Sequence, residues 1–231
     1  MIAILQARTG SKRLPKKILK KINKITLLEH IVNRLKYSKK IKKIIIATTN
    51  NSEDNIVEKI STDHNVSCFR GSTNNVLNRY VECAKLYKAN DIIRLTADDP
   101  FIDPQIIDKL INKYINGRYD FVSNTPNQTF PLGLDVTIVN YKTLSEIEKL
   151  TNKKKHFEHV VTYLFENKNK YKYFYYDRKI DEYSQMRWTV DYVSDLKFVR
   201  KVYKNLYNKK NIFLFNDIIK YLNSNNIKSY K

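Results

Sequence analysis

A chain of 231 residues carries 43 Lys and Arg against 23 Asp and Glu, a formal net charge of +20. That length suits a single domain over residues 1–231 with a substantial core, and apolar runs such as Ile44-Ile45-Ile46-Ala47 are far too short to span a bilayer. Cys68 and Cys83 lack metal-ligand spacing, and no apolar stretch of signal-peptide length precedes the N-terminal charges. The chain therefore reads as cytoplasmic, with reduced thiols and no membrane insertion. The charge invites a nucleic-acid reading. Lys, however, is spread along the whole chain together with abundant Asn, Ile and Tyr, all encoded by A/T-rich codons, and the reading is no nucleic-acid partner. The charge still draws anionic small molecules toward the protein.

In chain order, Ile2 to Leu5 reads as a buried parallel strand. It ends in Gln6-Ala-Arg-Thr-Gly-Ser-Lys-Arg-Leu-Pro-Lys-Lys17, a small-residue loop crowded with cations. Leu27, Leu28, Ile31, Val32 and Leu35 recur at helical spacing. A strand is expected over 41–49, a helix over 53–63, a strand over 66–69 ending in Arg70-Gly71-Ser72, a helix carrying Val76 to Tyr87, and a strand over 91–96 ending in Ala97-Asp98-Asp99-Pro100. A helix containing Ile106 to Tyr114 follows. Strands alternating with helices imply right-handed βαβ units, hence an α/β fold with a parallel sheet. Ligands then lie at the carboxyl ends of the strands, where the basic loop, Arg70-Gly-Ser and Ala-Asp-Asp all fall. From residue 119 the rhythm changes. Short strands are expected at 120–124 and toward 139, a helix over 154–167, an aromatic strand over 171–176, a strand over 186–191 ending in an acid, and helices over 194–207 and 215–223. The stretch from about 120 to 180 reads as an insertion.

The loop after the first strand suits a polyphosphate. Gly10 lets the backbone approach an anion, and Arg8, Lys12, Arg13 and Lys17 meet its charge. It is neither a P-loop nor a dinucleotide fingerprint, since both glycine patterns are absent. Asp98 and Asp191 each lie at an expected strand end, and Mg²⁺ favours carboxylates combined with phosphate oxygens. The plainer alternatives are helix caps: Asp98, Asp99 or Asp103 before the helix after Pro100, and Asp191 before the helix near 194.

The loop at 6–17 resembles the signature of the cytidylyltransferases that activate acidic sugars, the acylneuraminate and 3-deoxy-manno-octulosonate enzymes. The likeness is greatest to the spore-coat polysaccharide biosynthesis protein F branch. Leu27-Leu-Glu-His30, Ala47-Thr-Thr49, Phe69-Arg-Gly-Ser72, Val76-Leu-Asn-Arg-Tyr80, Arg94-Leu-Thr-Ala-Asp-Asp-Pro100, Asp120-Phe-Val-Ser-Asn124, Phe130-Pro-Leu-Gly-Leu-Asp135, Glu158-His159-Val160 and Arg187-Trp-Thr-Val-Asp191 extend it over nearly the whole chain in the family's order.

The resemblance implies a Rossmann-like, GT-A-like mostly parallel sheet flanked by helices, with a small inserted dimerisation region. It implies CTP held by Leu5, Ala7, Arg8, Gly10, Ser11, Lys12, Arg13, Lys17, Arg70 and Ser72, and Mg²⁺ on Asp98 and Asp191. Arg8, Lys17 and Asp98 would be catalytic, and Asn124, Gln128, Asp135, Glu158 and His159 would line an acceptor pocket. The branch often has Asp where this chain has Asn75, and Asp-Cys-Pro where it has Asp98-Asp99-Pro100. The expected function is Mg²⁺-dependent transfer of CMP from CTP to an acidic sugar for cell-surface polysaccharide, by a homodimer. The nearest rival is a nucleotidyltransferase acting on a sugar phosphate or other phosphorylated acceptor. A glycosyltransferase is disfavoured because Asp98-Asp99 is not D-x-D. The rival from another class is a non-catalytic polyanion or RNA binder, which needs neither Asp98 nor Mg²⁺.

Overall fold

The computed structural model describes residues 1–208 and 211–227. The first apolar run forms β1 (Ile2–Gln6), and its side chains alternate between two cores. Ala3 and Leu5 enter one core while Ile4 enters the other, as expected of a strand covered on both faces. β4 (Lys43–Thr49) and β6 (Asp91–Thr96) flank β1 in parallel, and β5 (Ser67–Gly71) pairs with β4. Beyond β6 lie β8 (Thr137–Asn140), β7 (Phe121–Ser123) and β9 (Tyr173–Tyr175). The described residues thus form a seven-stranded sheet in the order β5-β4-β1-β6-β8-β7-β9. Only β8 runs against its neighbours; β7 and β9 are parallel to each other. The strand order reverses between β1 and β6, so the crevice at their carboxyl ends is the expected ligand position.

One face is covered by α1 (Leu27–Leu35), α2 (Asn55–Asp63), α4 (Pro104–Gly117), α8 (Val193–Leu206) and α9 (Phe215–Ser224). The other is covered by α3 (Val76–Leu86), α5 (Tyr141–Leu150), α6 (Lys154–Glu158) and α7 (Thr162–Glu166). Local sequence fixes several helix starts. Thr26 and Glu29 form a reciprocal capping box on α1, Asn75 accepts from the Asn78 amide, and Asp103 accepts from the Gln105 and Ile106 amides.

Several expectations need correction. The helix expected over 154–167 is two short helices broken at 159–161, which leaves His159 at a helix end. Residues 186–191 are not a strand: Arg187 makes one isolated bridge to Leu132, the Trp188 and Thr189 amides both donate to the Leu132 carbonyl, and the Val190 amide donates to the Asp98 carbonyl. This irregular anchoring carries Asp191 to Asp98. Sequence reading also missed α5 and the small hairpin of β2 (Lys21–Ile22) and β3 (Ile25–Thr26). The 120–180 stretch contributes β7, β8 and β9 to the main sheet. Among the described residues no helix is long and apolar enough to cross a membrane.

Candidate active site

The loop after β1 is tied down at its start. Asp54, buried before α2, accepts from the Thr9 amide at 2.7 Å and the Thr9 hydroxyl at 2.8 Å, and it also accepts from the Thr49 hydroxyl. Burial alone would push this carboxyl up, but those donors outweigh it and hold it below its usual range. The Thr9 carbonyl in turn accepts from the Ser11 and Lys16 amides, folding the loop back on itself. Lys16 takes a left-handed conformation and starts a 3₁₀ turn at Lys17–Leu19. The result is a wall of Arg8, Gly10, Ser11, Lys12, Arg13 and Lys17 along a cleft of about 730 Å³. No protein atom crowds a Cβ placed at Gly10, so a need for glycine there arises from whatever enters the cleft.

Lys17 joins the two acids. Its ammonium lies 2.7 Å from Asp98 Oδ2 and 2.8 Å from Asp191 Oδ1. Arg13 contacts the same Asp191 oxygen at 2.7 Å, and Arg187 contacts Asp191 Oδ2 at 2.9 Å. Neither acid is spent as a helix cap: Asp103 caps α4, and Asp195 accepts from the Asp191 and Tyr192 amides at the start of α8. Burial raises the Asp191 carboxyl, yet Lys17, Arg187 and Arg13 together hold it below its usual range. The Lys17 ammonium is penalised by burial and rescued by both carboxylates, ending above its usual value.

A Mg²⁺ ion is tested by this donor set. Asp98 and Asp191 come from different loops, reach a common point and offer only oxygens, beside cations placed for phosphate. Mg²⁺ takes one or two carboxylates and completes its shell with phosphate and water, so these two residues fit it. No cluster of three or more acidic, His or Cys ligands exists among the described residues.

The other half of the cleft is lined by Gln6, Asn74, Arg94, Thr96, Glu158 and His159. Asp135 enters β8 nearby; burial raises its carboxyl to about 6, with Arg94 opposing the rise and Asp98 adding to it. Asp99 is buried and accepts from the Thr96 hydroxyl; burial first, then Asp98 and Asp135, push it far up. It neither caps α4 nor shares Lys17 with Asp98 and Asp191.

Some expected site residues lie elsewhere. The Leu5 side chain is in the core, and only its neighbours Gln6 and Ala7 reach the cleft. Arg70 is held by Glu58, Asn55 and the carbonyls of Thr49 and Asn51, while Ser72 accepts from the Asn75 amide. Asn124 is buried, donating to the Leu134 carbonyl and accepting from the Val136 amide, so its amide closes the β7–β8 connection. Gln128 is an exposed turn residue with positive φ. Sequence reading missed Asp54, Gln6, Asn74 and the Arg187 clamp; Arg94 and Arg187 stood in quoted motifs without a role.

An open sheet with a cation-rich loop and paired acids at its switch point defines an enzyme of the nucleotidyltransferase class. Residues 2–220 match the family model described as cytidylyltransferase, and the chain belongs to that family. It is 30% identical to the spore coat polysaccharide biosynthesis protein SpsF of Bacillus subtilis, over 88% of this chain and 86% of that one. It resembles the structure of a cytidylyltransferase from Leptospira borgpetersenii serovar Hardjo-bovis with a TM-score of 0.92 and 32% identity, covering 98% of this chain and 95% of that one. A weaker likeness, 25% identity over 50% of this chain and 45% of the relative, links it to the 3-deoxy-manno-octulosonate cytidylyltransferase of Trichlorobacter lovleyi.

Proposed function

We propose that this cytidylyltransferase couples CTP to an acidic sugar, giving a CMP-sugar and pyrophosphate for surface polysaccharide, with Mg²⁺ held by Asp98 and Asp191. The observation that carries the reading is the convergence of those two carboxylates on Lys17 beneath the cation loop, at the switch point of the sheet. The relative's name, 3-deoxy-manno-octulosonate cytidylyltransferase, supports the acceptor class.

A hydroxyl oxygen of the acceptor attacks the α-phosphorus of CTP and gives its proton to solvent water, the bond to the bridging β-phosphate oxygen breaks, and pyrophosphate leaves with that electron pair. Arg8, Lys12 and Arg13 orient the triphosphate, and Lys17 meets charge that grows on the departing oxygens. Bound Mg²⁺ supplies Lewis-acid neutralisation of phosphate oxygens. Tight contacts to Lys17, Arg13 and Arg187 keep Asp191 ionised well into acid.

Pyrophosphate release decides the matter, with Mg²⁺ and each of CTP, UTP, GTP and ATP against acidic sugars and sugar phosphates. Release with CTP and an acidic sugar, lost in Asp98→Ala, is the expected result. Release only with phosphorylated acceptors would transfer the assignment to a sugar-phosphate nucleotidyltransferase. Salt-sensitive polyanion binding without any release, unchanged in Asp98→Ala, would end the enzyme reading. Pairing of two copies through 120–180 belongs to the same proposal, and light scattering at twice 27.5 kDa is its check.

A further inference from the structure

β1 and β6 align Ile4 with Arg94 and Gln6 with Thr96, so Gln6, Arg94 and Thr96 share the sheet face beneath α6. Elsewhere that face is apolar, packed with Ile4, Ile92 and Val139. A patch of amide and guanidinium at its cleft end is therefore a local exception. Arg94 pairs across with Thr137, and Asp135 stands two residues ahead on the same face.

Arg94 is held differently from Arg34, Arg79 and Arg187. Arg34 is clamped by the carbonyls of Ile102 and Phe213, Arg79 by that of Ser72, and Arg187 by Asp191 and Asp195. Arg94 makes no hydrogen bond or ion pair to the described residues, and its Nε is buried without an acceptor. Gln6 Oε1, on the adjacent strand, is buried without a donor. Native interiors rarely leave such groups unmatched, because each has given up its water. Here the two deficits are complementary, a donor and an acceptor, and both residues line the cleft.

We propose that Arg94 and Gln6 form the floor of the acceptor pocket, Arg94 turning its guanidinium onto the acceptor's carboxylate and Gln6 Oε1 accepting from a neighbouring hydroxyl. The assignment rests on the cytidylyl-transfer reading of this cleft and deepens it by separating a carboxylate from a phosphate. A planar fork matches a planar carboxylate. One arginine facing Asp135, with Asp98 and Asp99 close behind, suits a single negative charge and disfavours the nearly doubled charge of a phosphate monoester.

The test uses the full chain with CTP and Mg²⁺, taking 3-deoxy-manno-octulosonate and N-acetylneuraminate as acceptors beside their C1 carboxamides. Wild type should favour an acid over its amide by on the order of 10- to 100-fold in kcat/KM, the range for hydrogen bonds to a charged group. Arg94→Leu should collapse that preference through the acceptor KM and leave the KM for CTP unchanged. Arg94→Lys, which keeps the charge and loses the fork, should fall between them, a graded pattern that general loss of structure would not produce. Wild-type turnover indifferent to the carboxylate, full discrimination in Arg94→Leu, or turnover confined to sugar phosphates would each overturn the subsite while cytidylyl transfer stands. Absence of pyrophosphate release from wild type with every acceptor would overturn both.

Discussion

The two halves of the cleft solve opposite problems. On the phosphate side the acids and their clamps are answered within the protein: Asp54 holds Thr9, Lys17 joins Asp98 to Asp191, and Arg187 clamps Asp191 and Asp195, which leaves Arg8 and Lys12 of the loop for the ligand. On the acceptor side, Arg94 Nε and Gln6 Oε1 are buried with no partner, and Asp135 and Asp99 are pushed up by burial. A region wired internally holds its shape before its ligand arrives, and Lys17 keeps the place between the two acids that Mg²⁺ would take, turning to the phosphates when it does. A region with unmatched groups gains most from the ligand that matches them, and is where discrimination is built.

That contrast can be broken at its strongest point. Lys17→Ala removes the shared counter-ion of both acids and should lower turnover by roughly 10²- to 10³-fold, by analogy with loss of one transition-state donor, with the fold retained by circular dichroism; full activity would take Lys17 out of the machinery. Gly133→Ala strikes where the two halves meet. Gly133 has φ +111°, and a Cβ there would stand 2.4 Å from the Thr189 amide nitrogen. Strain of this kind costs more than about 1 kcal/mol, so the melting temperature should fall by several degrees and the segment carrying Asp191 should shift.

Asp54→Asn tests the anchoring of the loop. It should cost about 2 kcal/mol, the worth of hydrogen bonds to a buried charge. Because the Asp54 carboxyl is depressed in the fold, its stabilisation is present above its ordinary value of 3.8 and lost as pH falls through the lower folded value. The wild type should therefore lose, between those pH values, stability that Asp54→Asn lacks throughout; identical acid unfolding curves would count against the anchor. Gly10→Ala gives the smallest change. With open space around that position, stability should hold or rise by up to about 1 kcal/mol, while the KM for CTP rises several-fold. An unchanged KM would mean that no anion approaches the backbone there.

The nucleotide half was the more legible in sequence, for a physical reason. Its strands are apolar on both faces and its loop concentrates charge over ten residues, so local patterns carry the signal. Residues 186–191 alternate like a strand but are held through the Leu132 and Asp98 carbonyls, a long-range arrangement no local period records. β2 and β3 are two residues each within a lysine-rich stretch, too short to show periodicity. Asp54 gave no signal because its partners Thr9 and Thr49 surround it only after folding. Asn124 was legible as a polar residue at a strand end, but its amide is spent on Leu134 and Val136. Arg94 is the converse: the missing partner that singles it out is visible only in three dimensions.

β8 is the strand that runs against its neighbours, and the reversal has a topological consequence. The connection from β7 to β8 leaves and re-enters the sheet on the rim that carries the phosphate loop. Residues 124–136 therefore form one connection on that rim, closed at its neck by the Asn124 amide and pinned at Leu132, whose carbonyl accepts from the Trp188 and Thr189 amides. Phe130, Leu134 and Val136 in it are core residues, so it lacks the freedom of an exposed loop. Exchanging this connection re-threads no strand, but it disturbs the anchor of the segment that carries Asp191, so what the rim accepts stays tied to upkeep of the nucleotide machinery.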